Sequence, residues 1–442
     1  MAVWSIVKIS ELEGYHRLDA EYYQPKYLAT AKALAGYPKL KQFLRRSIIH
    51  PTEIKRVYED KGYPFALSQN IGDNLLDFSQ QVFIPVETAE LVSKNRVDTG
   101  DILMIRTGQV GKAAPYLGDP PNLYASAHVL IVKTKDIPPG YLSTYLNSKF
   151  GRTLLERGTY GALQPELAPS YVETVPIPRL GDSMERAIES IVLEAYEVRK
   201  RSDSLYLQAE QLLLDELGFK DLGWGHQVYW TVPFKRTKEA GRLDAEHFQP
   251  KYDRVVEFIK KREYTTLAGL GKVLRGKNPS KYTEEGIPVI RAIDLRNILD
   301  ASTFLRCPAE KGLFYLHTGD ILISSIGWGS IGKVATFTHS EQMVTVSEVS
   351  VIRQTEIEPL ALQIFLQSPL GQLQLERKIT GSTGQLHLYP RDIGTVVIPH
   401  LVPSLQQQIA DLVTQSWEAR QKARQLLEEA KSKVENLIEG ES

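Results

Sequence analysis

Two long segments of the chain place an apolar or small residue at alternating steps of three and four positions. They run over residues 182–217 and 404–438, and charged residues fill most of the remaining positions. This spacing keeps one face of a helix apolar over several heptads, as in a coiled coil. At about 1.5 Å per residue, each helix would be roughly 50 Å long. The positions are Ile188, Ile191, Ala195, Val198, Ser202, Leu205, Ala209 and Leu212, then Ile409, Leu412, Ser416, Ala419, Ala423, Leu426, Ala430 and Val434.

Small side chains recur along one edge of each apolar face. They are Ala195, Ser202 and Ala209 in the first segment, and Ser416, Ala423 and Ala430 in the second. Because small side chains let two helix backbones approach closely, we predict that the segments pack together as an antiparallel coiled coil. Such a stiff pair would be a spacer that relates two globular units by a pseudo-twofold axis. The alternative is that each helix only covers its own domain, although one domain needs less length than this.

The rest of the chain repeats itself once. RLDAEYYQPKY (17–27) returns as RLDAEHFQPKY (242–252), with nine of the eleven positions identical. Shorter landmarks then recur in the same order, namely YEDKGYP (58–64) and YTEEGIP (282–288), TGDIL (99–103 and 318–322), GK (111–112 and 332–333), and VPIP (175–178) against VVIP (396–399). Self-similarity after half the length indicates two copies of one structural unit.

This duplication predicts an α+β protein with two tandem, homologous α/β domains. We place the first domain at residues 1–181, a central helix at 182–220, the second domain at 221–402 and a C-terminal helix at 403–442. The duplicated Asp101 and Asp320 are interpreted as turn formers. The duplicated pairs Asp19 and Asp244, and Glu21 and Glu246, are interpreted as residues at helix starts.

Composition narrows the class of protein. The chain has 442 residues, 42% of them hydrophobic, with 53 basic and 53 acidic side chains. It shows no apolar run of the length that crosses a bilayer and no secretory signal, and its single cysteine, Cys307, fits a reducing cytoplasm. The nine histidines form no ligand-spaced cluster, so no metal site is expected. A zero net charge argues against tight DNA binding by this chain alone, but not within a complex.

Two motifs suggest enzymes, but their contexts do not fit. GWGSIG (327–332) matches the dinucleotide fingerprint, yet the residues after it are typical of a strand, whereas the fingerprint requires a helix there. We therefore predict a glycine-rich β-turn. DPPN (119–122) is similar to the motif of amino-methyltransferases but lacks the final aromatic residue that stacks on a flipped base, so a turn is favoured. No nucleophile elbow or carboxylate pair accompanies them, and no catalytic residue is assigned.

The repeated landmarks together resemble the specificity (S) subunit of type I restriction–modification systems. The resemblance is carried by the two RLDAE openings, GYP (62–64) and GIPVIR (286–291), the duplicated GDIL turns, PIP (176–178), VIP (397–399) and the helices that follow. It covers essentially the whole chain. No single motif is specific, but two copies in register make the match strong.

The resemblance implies a non-catalytic DNA-recognition subunit. Each copy would contain a target-recognition domain that reads one half of a bipartite target in double-stranded DNA. The helices would set the spacer and dock two methyltransferase (M) subunits. S-adenosylmethionine and ATP are expected on partner subunits, the latter on the restriction motor (R) subunits, and no cofactor or membrane is expected for this chain.

Candidate DNA contacts are polar side chains in loops beside the landmarks, because base edges are read by hydrogen bonds and phosphates by Lys or Arg. In the first copy they are Ser68, Gln69, Asn70, Arg106, Thr107, Gln109, Lys112, Tyr160 and Gln164. In the second copy they are Lys277, Asn278, Lys281, Tyr282, Arg291, Asp294, Arg296, Ser324, Ser325, Trp328, Lys333, Ser382, Thr383, Gln385 and His387. Taken singly, residues of these types are more often solvated loop residues than DNA contacts, and we expect about one in three of them to touch DNA.

Two other functions remain open from the sequence. A coiled-coil adaptor could use the same two domains to bind proteins rather than DNA. An enzyme with an unrecognised site is disfavoured by the failed motifs above.

Overall fold

The computed structural model describes residues 4–12, 17–55, 57–59, 61–161, 163–220, 227–296, 299, 301, 304–381 and 386–440. The chain divides into two compact units. The first consists of Met1–Lys200 with Ala419–Ser442, and the second of Arg201–Glu418. Both divisions fall inside the two long helices, so each unit contains a part of each helix.

The first unit combines two small sheets, a two-stranded ribbon and several short helices. Its strands are β1 (Tyr63–Ala66), β2 (Val82–Ile84), β3 (Ile102–Ile105), β4 (Ala113–Pro115), β5 (Tyr124–Ala125), β6 (Val129–Val132), β7 (Thr159–Tyr160) and β8 (Glu166–Leu167). Its helices are α1 (Pro25–Ala33), α2 (Val86–Leu91), α3 (Pro139–Asn147), α4 (Lys149–Arg157), α5 (Pro169–Val172) and the start of α6 (Asp182–Glu216). One sheet has the order β4-β3-β6 and is antiparallel, and the other has the order β2-β1-β5, in which β1 and β5 are parallel.

The second unit contains the same arrangement. Its strands are β9 (Tyr264–Thr266), β10 (Lys272–Arg275), β11 (Ile287–Ile290), β12 (Leu305–Cys307), β13 (Ile321–Ser324), β14 (Val334–Thr336), β15 (Val344–Thr345), β16 (Val349–Arg353) and β17 (Val397–Pro399). Its helices are α7 (Phe234–Ala240), α8 (Pro250–Lys260), α9 (Leu267–Leu270), α10 (Pro359–Gln367), α11 (Pro369–Lys378), α12 (Pro390–Ile393) and the first part of α13 (Pro403–Glu439). The sheets have the orders β10-β16-β13-β14 and β12-β11-β15, with β11 and β15 parallel.

The strand registers show that the two units are copies of one fold. Leu103 of β3 pairs with Ile131 of β6, and its counterpart Leu322 of β13 pairs with Val351 of β16. The parallel sheets correspond in the same way, since β1 lies between β2 and β5 as β11 lies between β12 and β15. The predicted pair of homologous α/β domains is therefore confirmed.

The central strands are apolar throughout because both of their faces are covered. In β3, Ile102 and Met104 belong to a core with the helices, while Leu103 and Ile105 belong to a second core beneath the parallel sheet. Successive side chains of a strand point to opposite faces, so both sets must be apolar. Each unit consequently has two cores back to back, and the second core supports the loops described below.

The two long helices are antiparallel within each unit, as predicted. In the second unit, the Ser202 hydroxyl donates to the Ser416 carbonyl and the Ser416 hydroxyl donates to the Ser202 carbonyl, both at 2.7 Å. In the first unit, Ile188 near the start of α6 shares a core with Val434 near the end of α13. Small residues at the contact allow this close approach of the backbones.

The buried face of α6 differs from the predicted seam at four positions. Ile191, Val198, Leu205 and Leu212 are only half-buried, whereas Val192 and Leu213 are fully buried. On α13, Leu412 and Ala419 are likewise half-buried, and the other predicted seam residues of that helix are buried. Near its ends α6 also packs against the body of each unit, which shifts the buried line away from a strict heptad stripe.

The RLDAE motif has a structural role in both copies. Arg17 donates to Asp19 at 2.6 Å and to the carbonyl of Thr159 at 2.6 Å. Arg242 donates to Asp244 and to the carbonyl of Ile379 in the same way. The motif therefore connects the segment before α1 or α8 to the residues that follow α4 or α11. Asp19 does precede a short 3-10 helix, Ala20–Tyr23, but its carboxylate binds the arginine and does not cap that helix.

Candidate nucleic-acid interface

Three loops converge beside the mixed sheet of each unit, next to the segment that precedes its central strand and, in the first unit, Gln164. In the first unit they follow β1, follow β3 and connect β5 to β6, and in the second they occupy the same positions around β11, β13 and between β15 and β16. The loop after β1 is a 3-10 turn, Ser68–Asn70, and its counterpart after β11 is Ala292–Asp294. Between the three loops lies a cleft in each unit, called cleft 1 and cleft 2.

Cleft 1 has a volume of about 570 Å³. It is lined by Glu53, Ile54, Tyr58, Phe65, Leu67, Ser68, Gln69, Thr107, Ser126, Ala127, His128 and Gln164. Neutral hydrogen-bonding groups and two aromatic rings therefore dominate its surface, and Glu53 is the only carboxylate in its lining.

Hydrogen bonds fix the polar side chains on the floor of cleft 1. The Thr107 hydroxyl lies 2.8 Å from Nδ1 of His128, and the Ser68 hydroxyl donates to the His128 carbonyl at 3.4 Å. The Ser126 hydroxyl is buried and has no hydrogen-bond partner among the described residues. Because an unpaired buried hydroxyl is costly, a ligand that supplies its partner would be stabilised here.

Two carboxamide side chains remain available at the mouth of cleft 1. Gln69 and Gln164 are both exposed, and neither side chain makes a hydrogen bond within the described part of the chain. Beside the mouth, Arg106 donates to Glu166 at 2.6 Å, and Glu166 also accepts from the Tyr160 hydroxyl at 3.1 Å. Arg106 is therefore paired with a carboxylate beside this cleft.

A histidine behind cleft 1 is uncharged near neutral pH. Burial lowers the pKa of His50, and the neighbouring Arg106 lowers it further. Its Nε2 lies 3.1 Å from the carbonyl of Ala127, in the loop between β5 and β6. His50 thus supports that loop and adds no positive charge to the cleft at pH 7.

Cleft 2 is smaller, about 330 Å³, and more strongly charged. It is lined by Asn278, Tyr282, Arg291, Ala292, Ile293, Ile326, Gly327, Ser330, Val346 and Glu348. A guanidinium and a carboxylate face the same space, beside an amide and a half-exposed aromatic ring.

The guanidinium in cleft 2 is held in a fixed orientation. Nε and Nη2 of Arg291 donate to the two carboxylate oxygens of Asp294 at 3.0 and 3.1 Å. These hydrogen bonds raise the pKa of Arg291 above its already high ordinary value, so it is always charged. The exposed Glu348 adds a further favourable electrostatic interaction with Arg291. Burial raises the pKa of Tyr282, which stays a neutral hydroxyl.

Matching hydrogen bonds align the two clefts residue by residue. The Arg106 amide donates to the carbonyl of His128, as the Ser325 amide donates to the carbonyl of Glu348. His128 and Glu348 therefore occupy equivalent positions. The amide of Leu67 donates to the Asn70 side chain, and the amide of Arg291 donates to the Asp294 side chain. Leu67 is thus replaced by Arg291, and Asn70 by Asp294, in the second copy.

The structure brings seven of the sequence-predicted residues to the clefts. They are Ser68, Gln69, Thr107 and Gln164 in cleft 1, and Asn278, Tyr282 and Arg291 in cleft 2. Several more are exposed or half-buried but line neither cleft. These are Arg106, Gln109, Lys112, Tyr160, Lys277, Lys281, Asp294, Arg296, Trp328, Lys333 and His387. Ser382, Thr383 and Gln385 lie outside the described residues.

Three further predicted contacts, which line neither cleft, are buried inside the protein. Asn70 accepts from the Leu67 amide and donates to the Asp77 carbonyl, which closes the turn after β1. Ser325 is buried with its hydroxyl 2.6 Å from that of Ser350, and Ser324 is fully buried in β13. Small polar residues serve equally well as turn-forming and as base-reading groups, so their type alone could not separate the two roles.

The glycine-rich segment is a β-turn, as predicted. Gly327, Gly329 and Gly332 all have positive φ angles, and the strand β14 follows them rather than a helix. The backbone therefore lacks the helix N-terminus on which a dinucleotide phosphate would rest. Trp328 projects from this turn with 79% of its surface exposed.

Several residues that line the clefts were missed by sequence reasoning, and three of them, His128, Ser126 and Glu348, have a sequence signal in common. They lie in the loop between β5 and β6 or between β15 and β16, and His128 and Glu348 directly precede an apolar strand. An alignment of the two copies through this loop sets AHV (127–129) against SEV (347–349). The replacement of histidine by glutamate at one matched position of the two copies was the sequence feature that could have identified this loop.

The described residues contain no group of three or more His, Cys, Asp or Glu side chains arranged to hold a metal ion. Among the helices of the described residues, none is both long and apolar enough to span a membrane. Cys307, at the end of β12, is buried with a free thiol.

No protein-family model and no curated protein matches this chain. Among solved structures, it is similar to a type I restriction–modification system S subunit from M. genitalium. The two are 15% identical with a TM-score of 0.41, over 91% of this chain and 94% of that chain. A second similar structure is described as the structural basis of complex assembly and conformational transition of the type I R-M system. It is 16% identical with a TM-score of 0.30, over 92% of this chain and 98% of that chain.

Proposed function

We propose that this chain is the DNA sequence-recognition subunit of a type I restriction–modification complex. Each unit would read one half of a bipartite target in double-stranded DNA through its cleft. The long helices would set the number of base pairs between the halves and dock two methyltransferase subunits. The chain itself would perform no catalytic step, and S-adenosylmethionine and ATP would be bound by its partners.

The observation that carries this proposal is the pair of equivalent clefts with different polar linings. The same hydrogen bonds build the walls of both, yet His128 is matched by Glu348 and Leu67 by Arg291. Two domains that recognise different base sequences need the same backbone arrangement with different hydrogen-bonding side chains. This is because base edges differ in their donors and acceptors. The resemblance of the duplicated motifs to S subunits leads to the same function.

Helix length is consistent with a bipartite target. The helices α6 and α13 contain 35 and 37 residues. At about 1.5 Å per residue each is over 50 Å long. Half-sites one turn of duplex apart are separated by roughly 34–36 Å, so a helix of this length is sufficient to span them.

Exposed apolar side chains recur before the RLDAE motif of each copy, and each set would bind one copy of the same partner. Before the first RLDAE motif, Trp4 and Ile9 are 76% and 80% exposed, and before the second, Tyr229 and Phe234 are 88% and 66% exposed. They lie at the same distance from their motifs in both copies. Single exposed apolar side chains are common, but their recurrence at matched positions in both copies favours a shared protein contact. Two methyltransferase subunits, one on each copy, would account for this repetition.

Co-purification and methylation test the proposal together. The full chain is expressed with its cognate methyltransferase, and methyl transfer from S-adenosylmethionine to genomic DNA is mapped by sequencing of modified bases. We expect methylation only when the chain is present, at one motif with two specified parts separated by unspecified bases.

The outcomes separate the alternative functions. If the chain forms a stable complex with the methyltransferase but the methylated DNA motif is the same with and without the chain, it is a protein adaptor. Methyl transfer by the chain without any partner would show an enzyme. Either result would contradict the proposed function.

A further inference from the structure

The chemical difference between the clefts indicates which base pairs each unit reads. This inference rests on the proposed function and adds the class of base to it. In the major groove, guanine presents two acceptors, O6 and N7, and cytosine presents the N4 amino donor. Adenine instead presents one acceptor and one donor, N7 and the N6 amino group, side by side. A cleft with amides and a cleft with a guanidinium and a carboxylate therefore match different base pairs.

Cleft 2 combines the two groups that complement a G·C pair. Arg291 uses Nε and one Nη2 hydrogen to bind Asp294, and a guanidinium has five N–H donors in all. Donors therefore remain for O6 and N7 of a guanine. Glu348 is exposed in the lining of the same cleft, and its carboxylate can only accept at neutral pH. It complements the N4 amino group of the paired cytosine.

The position of Glu348 in the same cleft as Arg291 reduces the electrostatic repulsion between its carboxylate and DNA. An isolated carboxylate would be repelled by DNA phosphates. Here the charge of Glu348 is partly balanced by Arg291, whose pKa it helps to raise. The equivalent position in the first copy carries His128, which is held by Thr107 at 2.8 Å. An acidic side chain at this matched position is therefore specific to cleft 2, and the carboxylate of cleft 1, Glu53, comes from a different segment.

Cleft 1 instead offers carboxamides. Gln69 and Gln164 are exposed at its mouth, and each has one acceptor and a two-hydrogen donor on the same carboxamide group. That pair matches the N6 and N7 edge of adenine. The position equivalent to Arg291 is Leu67, so cleft 1 has no guanidinium there.

We propose that the second unit reads at least one G·C pair through Arg291 and Glu348, and that the first unit reads at least one A·T pair through Gln69 or Gln164. Cleft 2 thus specifies a guanine in its half-site, and cleft 1 specifies an adenine.

The test uses the full chain co-purified with its cognate methyltransferase and a library of DNA duplexes with two randomised blocks. Selected duplexes should contain an invariant G·C pair in one block and an invariant A·T pair in the other. Arg291→Ala should lower the preference for that G·C pair by about 5- to 150-fold and leave the other block unchanged. Gln69→Ala combined with Gln164→Ala should relax the A·T position in the same way.

Matched variants keep the result interpretable. The double change Arg291→Leu with Asp294→Asn gives cleft 2 the residues of the first copy at the turn, where an asparagine already accepts the same amide hydrogen bond. It should remove the guanine preference without loss of folding. Arg254→Ala removes an exposed arginine of α8 outside both clefts and should change neither block.

The failures are distinguishable. Selection of a two-part motif whose G·C positions do not respond to Arg291→Ala overturns this inference and leaves the proposed function intact. Equal weakening on all sequences makes Arg291 a phosphate contact and also overturns it. No sequence selection at all overturns both.

Discussion

At the residue scale, the two copies share buried ion pairs that stabilise the fold, whereas the charged residues of their clefts differ. Asp320 is 2% exposed, accepts from Nε and Nη2 of Arg353, and also accepts from the His317 amide. In the first copy, Lys133 pairs with Asp101, and Asp101 accepts from the Asp98 amide. The turn role predicted for the duplicated aspartates is confirmed, and a buried ion pair is added to it.

Asp320→Asn should lower the free energy of unfolding of the second unit by about 3 kcal/mol. The change leaves Arg353 largely buried without its countercharge, and breaking such a pair typically costs 3–5 kcal/mol. Denaturant unfolding followed by fluorescence measures the loss. Asp98→Asn, which removes a carboxylate that is 65% exposed and pairs with Lys133, serves as the control and should cost under about 1 kcal/mol. Equal effects of the two changes would contradict the structural role of Asp320.

Asp244 should make stability depend on acid pH. Hydrogen bonds from Arg242 hold the pKa of the Asp244 carboxyl below its usual range. A carboxyl with a lowered folded-state pKa stabilises the protein above its unfolded pKa, and this contribution is lost as pH falls through the folded value. The difference in unfolding free energy between the wild type and Asp244→Asn should therefore be largest near pH 7 and shrink below about pH 4.

Urea midpoints at pH 7, 5 and 3 measure that difference. Asp244 is about half exposed, so the effect at pH 7 should stay near or below about 1 kcal/mol. Glu257→Gln, an exposed change on α8, removes one negative charge without touching an arginine and should show no such trend. A gap between wild type and Asp244→Asn that widens toward low pH would contradict the role of Arg242.

The sequence was informative about the frame and much less so about the clefts. Periodicity and duplication predicted the helices and both domains, because those patterns depend on burial along whole elements. A single loop residue has no such pattern. Asn70 and Gln69 are adjacent and chemically alike, yet one is buried in a turn and the other is exposed at the mouth of cleft 1. Only the three-dimensional arrangement of the loops separates them.

At the scale of elements, the contact between the long helices depends on small residues. Ser202 and Ser416 are each 1% exposed and exchange reciprocal hydrogen bonds with the opposite backbone. The heptad pattern predicted their position at the contact but not these bonds. It also placed Ile191 and Leu212 on the seam, where the neighbouring Val192 and Leu213 are more deeply buried. The helix α6 packs both on α13 and on the body of each unit, so both contacts decide which residues are buried. The sequence pattern of one helix does not show the second contact.

Ser202→Leu should destabilise the helix pair by about 1–3 kcal/mol through overpacking. The larger side chain has no space between backbones that lie close enough for the hydroxyl of one to reach the carbonyl of the other. Ser202→Ala is the control and should cost only about 1 kcal/mol, since it removes a hydrogen bond without adding volume. Thermal unfolding compares the two. A leucine variant as stable as the alanine variant would show that the helices do not need a close contact here.

At the scale of the whole molecule, duplication gives one chain two equivalent clefts, which under the proposed function can diverge independently. Each unit has its own hydrophobic cores and its own cleft, so a substitution in one cleft is expected to leave the other undisturbed. The frame residues, such as the Arg–Asp pairs of the RLDAE motifs, are shared because both units need the same fold. We therefore expect a target whose two parts can be altered one at a time.

The most direct measurement is a map of methylated bases in cells that express the cognate methyltransferase with the wild-type chain, with Arg291→Ala, or with Gln69→Ala and Gln164→Ala combined. Our account predicts a two-part motif for the wild type, relaxed in one part by the first variant and in the other part by the second. A motif without two parts, or one in which both variants relax the same bases, would contradict it.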